Sequence, residues 1–201
     1  MGNFDTVKKL LKSCRLTLLF DYKESVNGHD FAVSVLSEFD NAKRIVGALS
    51  SEGIDEQLSV YSEIPDIILI DGFNDLYNKI FLETRLENSE NQSEAALNSL
   101  AFRRLRVEFV KLIALTEKYD TSFLIYFTAN RPSELRSMYF RIPEQYKDKV
   151  NFMLYEKRYK PATTEVLNGA KLSFEFGKDA FDYILIDYDE CTKQYKETGL
   201  D

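Results

Sequence analysis

Arg15-Leu16-Thr17-Leu18-Leu19-Phe20 is followed, after Asp21 and Tyr22, by Lys23-Glu24-Ser25-Val26-Asn27-Gly28-His29-Asp30 and then by Phe31 to Phe39. The first run is apolar and reads as a buried strand; Phe31, Val35, Leu36 and Phe39 recur at helical spacing, with Asp30 placed to cap their helix. The slot between strand and helix has the length of a phosphate-binding loop, G-x-x-x-x-G-K-[ST]. Laid on that template, Lys23 stands at the first glycine and Gly28 at the second. His29 replaces the lysine that meets the β/γ-phosphates, and Asp30 replaces the hydroxyl that binds Mg²⁺. A neutral imidazole offers one donor and little charge near pH 7, and Asp30 sets a carboxylate where a triphosphate would lie. The strand, the loop length and the helix survive, but the phosphate chemistry of this degenerate loop has largely gone.

Composition bounds the rest. The chain has 201 residues, enough for one domain with a full core, and is 44% hydrophobic and 29% charged. Its 8 glycines and 4 prolines are too few for long flexible linkers. A net charge of −7 opposes unaided binding to nucleic acid unless cations cluster locally. Cys14 and Cys191, far apart, form neither a zinc motif nor a disulfide framework, which fits a reducing intracellular compartment, cytoplasmic or nuclear. His29 is the sole histidine, so no histidine metal centre is expected, and no other metal site is either. The longest apolar runs are too short to span a bilayer, and no membrane contact is expected. Residues 1–14 read as a short amphipathic helix that packs on the domain edge or docks onto a neighbouring subunit.

Further short apolar runs mark strands at Ile45–Leu49, Ile67–Ile70, Phe123–Phe127 and Phe152–Tyr155, with little charge inside them, as in strands covered on both faces. The longest helix is expected over Ser93 to Tyr119, with Leu97, Ala101, Leu105, Phe109, Leu112 and Thr116 as its inner stripe. Arg103, Arg104 and Arg106 lie off that stripe and face solvent or a partner. Thr84 to Ser93 reads as a polar loop. Lys171–Phe176 and Tyr183–Ile186, separated by Gly177-Lys178-Asp179, read as a closing β-hairpin, and 187–201 as a frayed C-terminal tail. The fold class expected is a single α/β domain with a mostly parallel central sheet, helices on both faces and a C-terminal β-hairpin.

Taken in order, several segments resemble a RecA-superfamily ATPase core, and more narrowly the ATPase domain of DnaB-type replicative helicases. Ile67-Ile68-Leu69-Ile70-Asp71 is an apolar strand ending in a carboxylate, the place where that superfamily holds Mg²⁺. Val46-Gly47-Ala48-Leu49-Ser50-Ser51-Glu52 looks like the strand that ends in the water-activating glutamate, and Glu56-Gln57-Leu58 resembles the Glu-Gln-Leu soon after it. Asp71-Gly72-Phe73-Asn74-Asp75-Leu76 is similar to the Asp-Tyr-Leu-Gln-Leu segment. Glu90 to Glu94 resembles the polar loop before the long helix. Phe127-Thr128-Ala129-Asn130-Arg131 resembles the Ser-Gln-Leu-Asn-Arg that senses the γ-phosphate. The likeness covers roughly residues 15 to 186.

The departures decide what the resemblance implies. The lysine and Ser/Thr of the loop are absent, the sensing glutamine is Thr128, and only 18 residues separate Glu52 from Asp71, where the family has a long insertion. The late Lys-x-Arg finger has no clear match, Lys157-Arg158 falling too early. Glu52, Asp71 and Thr128 are therefore vestigial candidates in a chain without catalysis, and Lys23, Gly28, His29 and Asp30 are the remnant of a cofactor loop, with no cofactor expected. The implied function is that of an inactive accessory protein in DNA replication or recombination, docking onto RecA- or helicase-type proteins as a homo- or hetero-oligomer and helping to hold single-stranded DNA. Arg131, Arg136, Arg141, Lys147 and Lys149, interleaved with Tyr139, Phe140 and Tyr146, and then Lys157 and Arg158, are the candidate DNA contacts. Two alternatives stand beside it. One is a divergent ATPase with Glu52 as base, Asp71 for Mg²⁺ and the Gly28–His29 backbone for phosphate. The other is a helicase-subunit mimic, a loader or inhibitor, without DNA contact.

Overall fold

A computed structural model describes residues 11–12, 15–22, 26–47, 50–88, 92–129, 142–156, 172–176, 179–189 and 194–198, and beyond Val150 it describes the course of the backbone. The strands are β1 (Leu16–Tyr22), β2 (Ala42–Val46), β3 (Ile67–Asp71), β4 (Ser122–Ala129), β5 (Val150–Glu156), β6 (Leu172–Phe176), β7 (Asp179–Asp189) and β8 (Gln194–Thr198). The helices are α1 (Val26–Leu36), α2 (Ser51–Ser59), α3 (Phe73–Asn88) and α4 (Glu94–Tyr119), with a 3₁₀ turn at Glu144–Lys149 before β5.

The sheet has eight strands in the order β2-β3-β4-β1-β5-β7-β6, with β8 also paired to β7. Every pairing from β2 to β7 is parallel, and β6 and β8 run antiparallel to β7. Apolar residues at consecutive positions of β1, β3 and β4 divide by the period of two. Leu16, Leu18, Ile68, Ile70, Phe123, Ile125 and Phe127 pack into one cluster with Ile54 and Leu58 of α2, Phe73, Leu76 and Ile80 of α3, and Leu105, Phe109 and Leu112 of α4. Leu19, Ile67, Leu69, Leu124 and Tyr126 pack into a second cluster with Phe31, Ala32 and Val35 of α1 and with Leu11. The fold is thus α/β, with a parallel sheet covered on both faces. Burial on both sides explains why these strands read as unbroken apolar runs rather than alternating ones.

The long helix matches its reading closely. Ser93 caps α4, its side chain accepting from the Ala96 amide at 3.3 Å, and Asp120 closes the helix in the left-handed region at φ 51°. All six residues of the expected inner stripe are buried.

Other expectations are corrected. The first helix begins at Val26 and ends at Leu36. Asp30 therefore lies inside α1 and not at its cap, with its carbonyl accepting from Ser34 Oγ at 2.7 Å. The second strand is Ala42–Val46, not Ile45–Leu49. It is the outermost strand, so Lys43 and Arg44 are tolerated within it, and Gly47 at φ +74° ends it. Glu52 sits in the first turn of α2, not at a strand end. The segment read as a polar loop from Thr84 is helical to Asn88, because Phe73, Leu76, Ile80 and the buried Thr84 form one face of α3. The stretch read as a tail contributes the end of β7 and all of β8, with Tyr188 opposite Tyr195. The hairpin is present, Phe176 pairing with Asp179. Of the expected N-terminal helix over 1–14, Leu11 and Lys12 are described, helical, with Leu11 buried.

Candidate functional site

The carboxyl ends of β1, β4, β3 and β2 lie side by side, and on the α1 face they carry a continuous run of polar side chains. Asp21, on β1, is fully buried and accepts a hydrogen bond from the Tyr126 hydroxyl of β4 at 2.6 Å. The Tyr126 ring meets the His29 ring edge to face, centroids 5.4 Å apart. His29 Nε2 lies 2.8 Å from Asp71 Oδ2, at the end of β3. A carboxylate can only accept, so this contact places a proton on Nε2. The same oxygen takes Arg44 Nε at 3.0 Å and Arg44 Nη2, from β2. Arg44 Nη2 and His29 Nε2 are 3.0 Å apart, two donors brought together by the oxygen they share.

The local sequence explains the convergence. Positions 67, 69 and 71 of β3 point to the α1 face, and Arg44, next to the inward Ile45, points the same way from β2. His29 belongs to the first turn of α1, directly over those strand ends. The side chain of Asp71 is 15% exposed, and those of His29 and Arg44 are 34% and 42% exposed. Burial pushes the Asp71 carboxyl up, but the hydrogen bonds and charges of His29 and Arg44 outweigh it and hold the group below its ordinary value. Asp71 is thus ionised and already met by a guanidinium of the chain itself.

Two glycines with positive φ, Gly47 and Gly72, turn the chain at the ends of β2 and β3. Gly47 N–H donates to the Asp71 carbonyl at 3.2 Å. Gly72, at φ +107°, would carry a Cβ 3.4 Å from the Gly47 nitrogen. Beyond the turn at Gly72, the side chain of Asn74 takes up the ladder that β3 leaves unfinished. Its amide nitrogen donates to the Thr128 carbonyl at 3.1 Å and its oxygen accepts from the Thr128 amide at 3.0 Å. Thr128 is tied by its backbone to a neighbour's side chain.

Glu52 belongs to a different constellation, in a groove between α3 and α4. Lys111 Nζ lies 2.5 Å from Glu52 Oε1 and 3.0 Å from Glu108 Oε1, and the Ser51 amide donates to Glu108 Oε2 at 3.1 Å. Glu108 thus fills the anion position at the start of α2 from within the chain. The hydrogen bond from Lys111 lowers Glu52, and those to Glu52 and Glu108 raise Lys111. A carboxylate held low is a poor general base near neutral pH.

The structure therefore joins His29 to Asp71, keeps Glu52 with Lys111, and holds Thr128 through Asn74. Arg44, Asp21, Tyr126 and Asn74 were not singled out by the sequence reading as members of the site. Arg44 sits in a strand read three residues too late, and Asp21 and Tyr126 are ordinary residues until the register brings them together. Lys23, Arg131, Arg136, Arg141, Lys157 and Arg158 lie outside the described residues, and Lys147 and Lys149 fall on the 3₁₀ turn, whose backbone alone is described there. Gly28 is in the first turn of α1. Among the described residues no cluster of three His, Cys, Asp or Glu gathers to hold a metal, and no helix is long and apolar enough to cross a membrane. No family model matches the chain, and neither a curated protein nor a solved structure matches it significantly.

Proposed function

We propose that the chain is a catalytically inactive RecA/DnaB-like accessory protein of DNA replication or recombination, which works by docking onto a protein partner and adds weak single-stranded DNA contact. The observation that supports it is the His29–Asp71–Arg44 cluster. In the resemblance drawn from sequence, His29 stands at the phosphate-binding lysine and Asp71 at the magnesium-binding acid. The two positions meet at 2.8 Å, and Arg44 supplies the positive charge beside the acid. A ligand carrying Mg²⁺ and phosphate would have to break this cluster before binding, and Glu52, the base in the ATPase alternative, is spent on Lys111. The parallel strands, the first-turn position of His29 and the strand-end position of Asp71 are what a P-loop ancestor would leave behind.

The test is calorimetric titration of the purified chain with Mg-ATP and with a non-hydrolysable analogue. No heat is expected from either. Binding tighter than about 100 μM, roughly −5.5 kcal/mol, would overturn the inactive reading and return Asp71 to a cofactor role.

A further inference from the structure

Helices α3 and α4 form an antiparallel hairpin, with Phe81 against Phe102 at a ring-centroid distance of 5.0 Å. Among the described residues six large hydrophobic side chains are exposed, and three of them stand on this hairpin: Leu82 and Leu86 on α3, at 58% and 71%, and Val107 on α4, at 53%. Val107, Lys79 and Glu83 line the groove between the two helices. Leu82 and Leu86 follow Lys79 and Glu83 by three positions each, so they rim the same groove. The charge in the groove is balanced, with Lys79, Arg104 and Lys111 beside Glu52, Glu83 and Glu108. A partner carrying one sign of charge would lose to one set what it gained from the other. A face that holds both signs around exposed apolar side chains can instead meet a copy of itself, cations of one chain facing acids of the other.

We propose that this face docks a second copy of the chain, in a symmetric dimer whose twofold axis runs along the groove and lays α3 of each copy over α4 of the other. Phe81 and Phe102 are level within one copy, and a twofold parallel to the helices preserves that level. Leu82 of one chain then falls beside Arg103 of the other, with Val107 one turn further on. Arg103 is exposed, and among the described residues it has no ion-pair partner. The acid next to Leu82 is Glu83, which within its own helix meets Lys79 at 3.8 Å. Arg103 of one copy with Glu83 of the other is thus the charged contact between chains, and symmetry makes it twice. The face is about 24 Å long along α3 and about 20 Å across two helices, near the lower end of specific interfaces, so a dissociation constant of about 10–100 μM is expected. The inference goes beyond the docking reading above and does not depend on it: Mg-ATP binding by the chain would defeat the inactive reading and leave the dimer as it stands.

Analytical ultracentrifugation of the full chain from about 1 μM to about 1 mM brackets that affinity. A reversible monomer–dimer equilibrium is expected, and L82D/L86D is expected to weaken it by about tenfold or more. R103E and E83R each set like charges opposite one another in their own dimers and are each expected to weaken association by about threefold or more. Mixed in equal amounts, the two variants present opposite charges at both contacts, and a heterodimer at least as tight as the wild-type dimer is expected. All four positions are exposed, and circular dichroism with a thermal melt confirms that each variant is folded. A chain that stays monomeric up to about 1 mM overturns the proposal. So does a dimer that L82D/L86D leaves unchanged, or a mixture of R103E and E83R that associates no better than either variant alone, since either result places the contact on another face.

Discussion

Replacing Asn74 with alanine isolates one device at the carboxyl edge of the sheet. Strand β3 pairs with β4 up to Ile70 opposite Ile125, and there its partnership ends. Thr128 lies three residues further along β4, paired on its other side with Asp21. Among the described residues its amide and carbonyl toward β3 are served by the Asn74 side chain, at 3.0 and 3.1 Å. Alanine removes both bonds and offers nothing in return. Two neutral hydrogen bonds contribute about 1–3 kcal/mol together, and a buried peptide group left without a partner costs about as much. Asn74 and Thr128 are half-buried, so water recovers part of the loss, and the expected cost is about 2 kcal/mol. For a domain of this size that is a fall of about 4–8 °C in Tm. Asn74→Asp keeps the acceptor for the Thr128 amide but turns a carboxylate on the carbonyl, so it should remain destabilising. Equilibrium urea unfolding gives the free energy, and native-state hydrogen exchange at the Thr128 amide shows whether the loss is local. An Asn74→Ala protein within about 0.5 kcal/mol of wild type, with the Thr128 amide as protected as before, would refute the account.

The remaining predictions concern the same end of the molecule. Asp71→Asn is expected to cost about 1–2 kcal/mol at pH 7, discounted for the exposure of Arg44. Because Asp71 is held below its ordinary value, its contribution is complete above the unfolded carboxylate pKa of about 3.9 and fades as pH falls through the lower folded value. A urea series into acid should therefore show the penalty shrinking, and a penalty that stays constant would point away from the ion cluster. Gly72→Ala should cost more than Gly47→Ala, by about 1 kcal/mol or more. Both have positive φ, but +74° at Gly47 lies beside the left-handed well that a side chain can enter, whereas +107° at Gly72 lies well outside it; equal losses in denaturant melts would count against that account. Thr17→Val should stabilise by about 1 kcal/mol, since among the described residues the buried Thr17 hydroxyl has no hydrogen-bond partner, and a lower midpoint would show that the hydroxyl is served after all. Glu52→Gln should change stability by less than about 0.5 kcal/mol, its pair with Lys111 being exposed, and should leave nucleotide titrations blank; a larger loss would mean that the pair holds α2 in place.

The elements most visible in the sequence were those whose signal is local. The stripe Leu97 to Thr116 stands at helical spacing, and Ser93 is a capping residue in front of it, so α4 could be placed almost to the residue. The buried runs in β1, β3 and β4 were equally plain. The misplacements share one cause, the weight given to apolar continuity. In β2, Ile45 is the one fully buried residue, and the run Ile45 to Leu49 looked more strand-like than Ala42-Lys43-Arg44. Only the pairing of Ala42 with Ile67 through Val46 with Asp71 fixes the edge strand where it is. In α3, Asn78, Lys79 and the polar stretch from Glu87 hid a face whose buried members are widely spaced, Phe73, Leu76, Ile80 and Thr84.

The site was half legible for the same reason. His29 and Asp71 were named because each occupies a position in a local pattern. That they touch depends on β3 lying two strands from β1 with α1 crossing between, which is a property of strand order and not of either segment. Arg44 carried no signal at all, since a single arginine in a short strand fits any edge. Yet it changes the meaning of the other two. An acid at a strand end beside a histidine could still recruit a cation from solution. An acid whose one oxygen already receives three N–H groups from the chain has its charge answered internally. Under the function proposed above, the loop sequence and the arginine would be two independent departures at one place: the first lacks the lysine and hydroxyl side chains of a phosphate-binding loop, and the second neutralises the acid a metal would need. Under that proposal, a chain lacking only the lysine could still bind through backbone amides and a cation at Asp71. With Arg44 in place that route begins by breaking a charged pair.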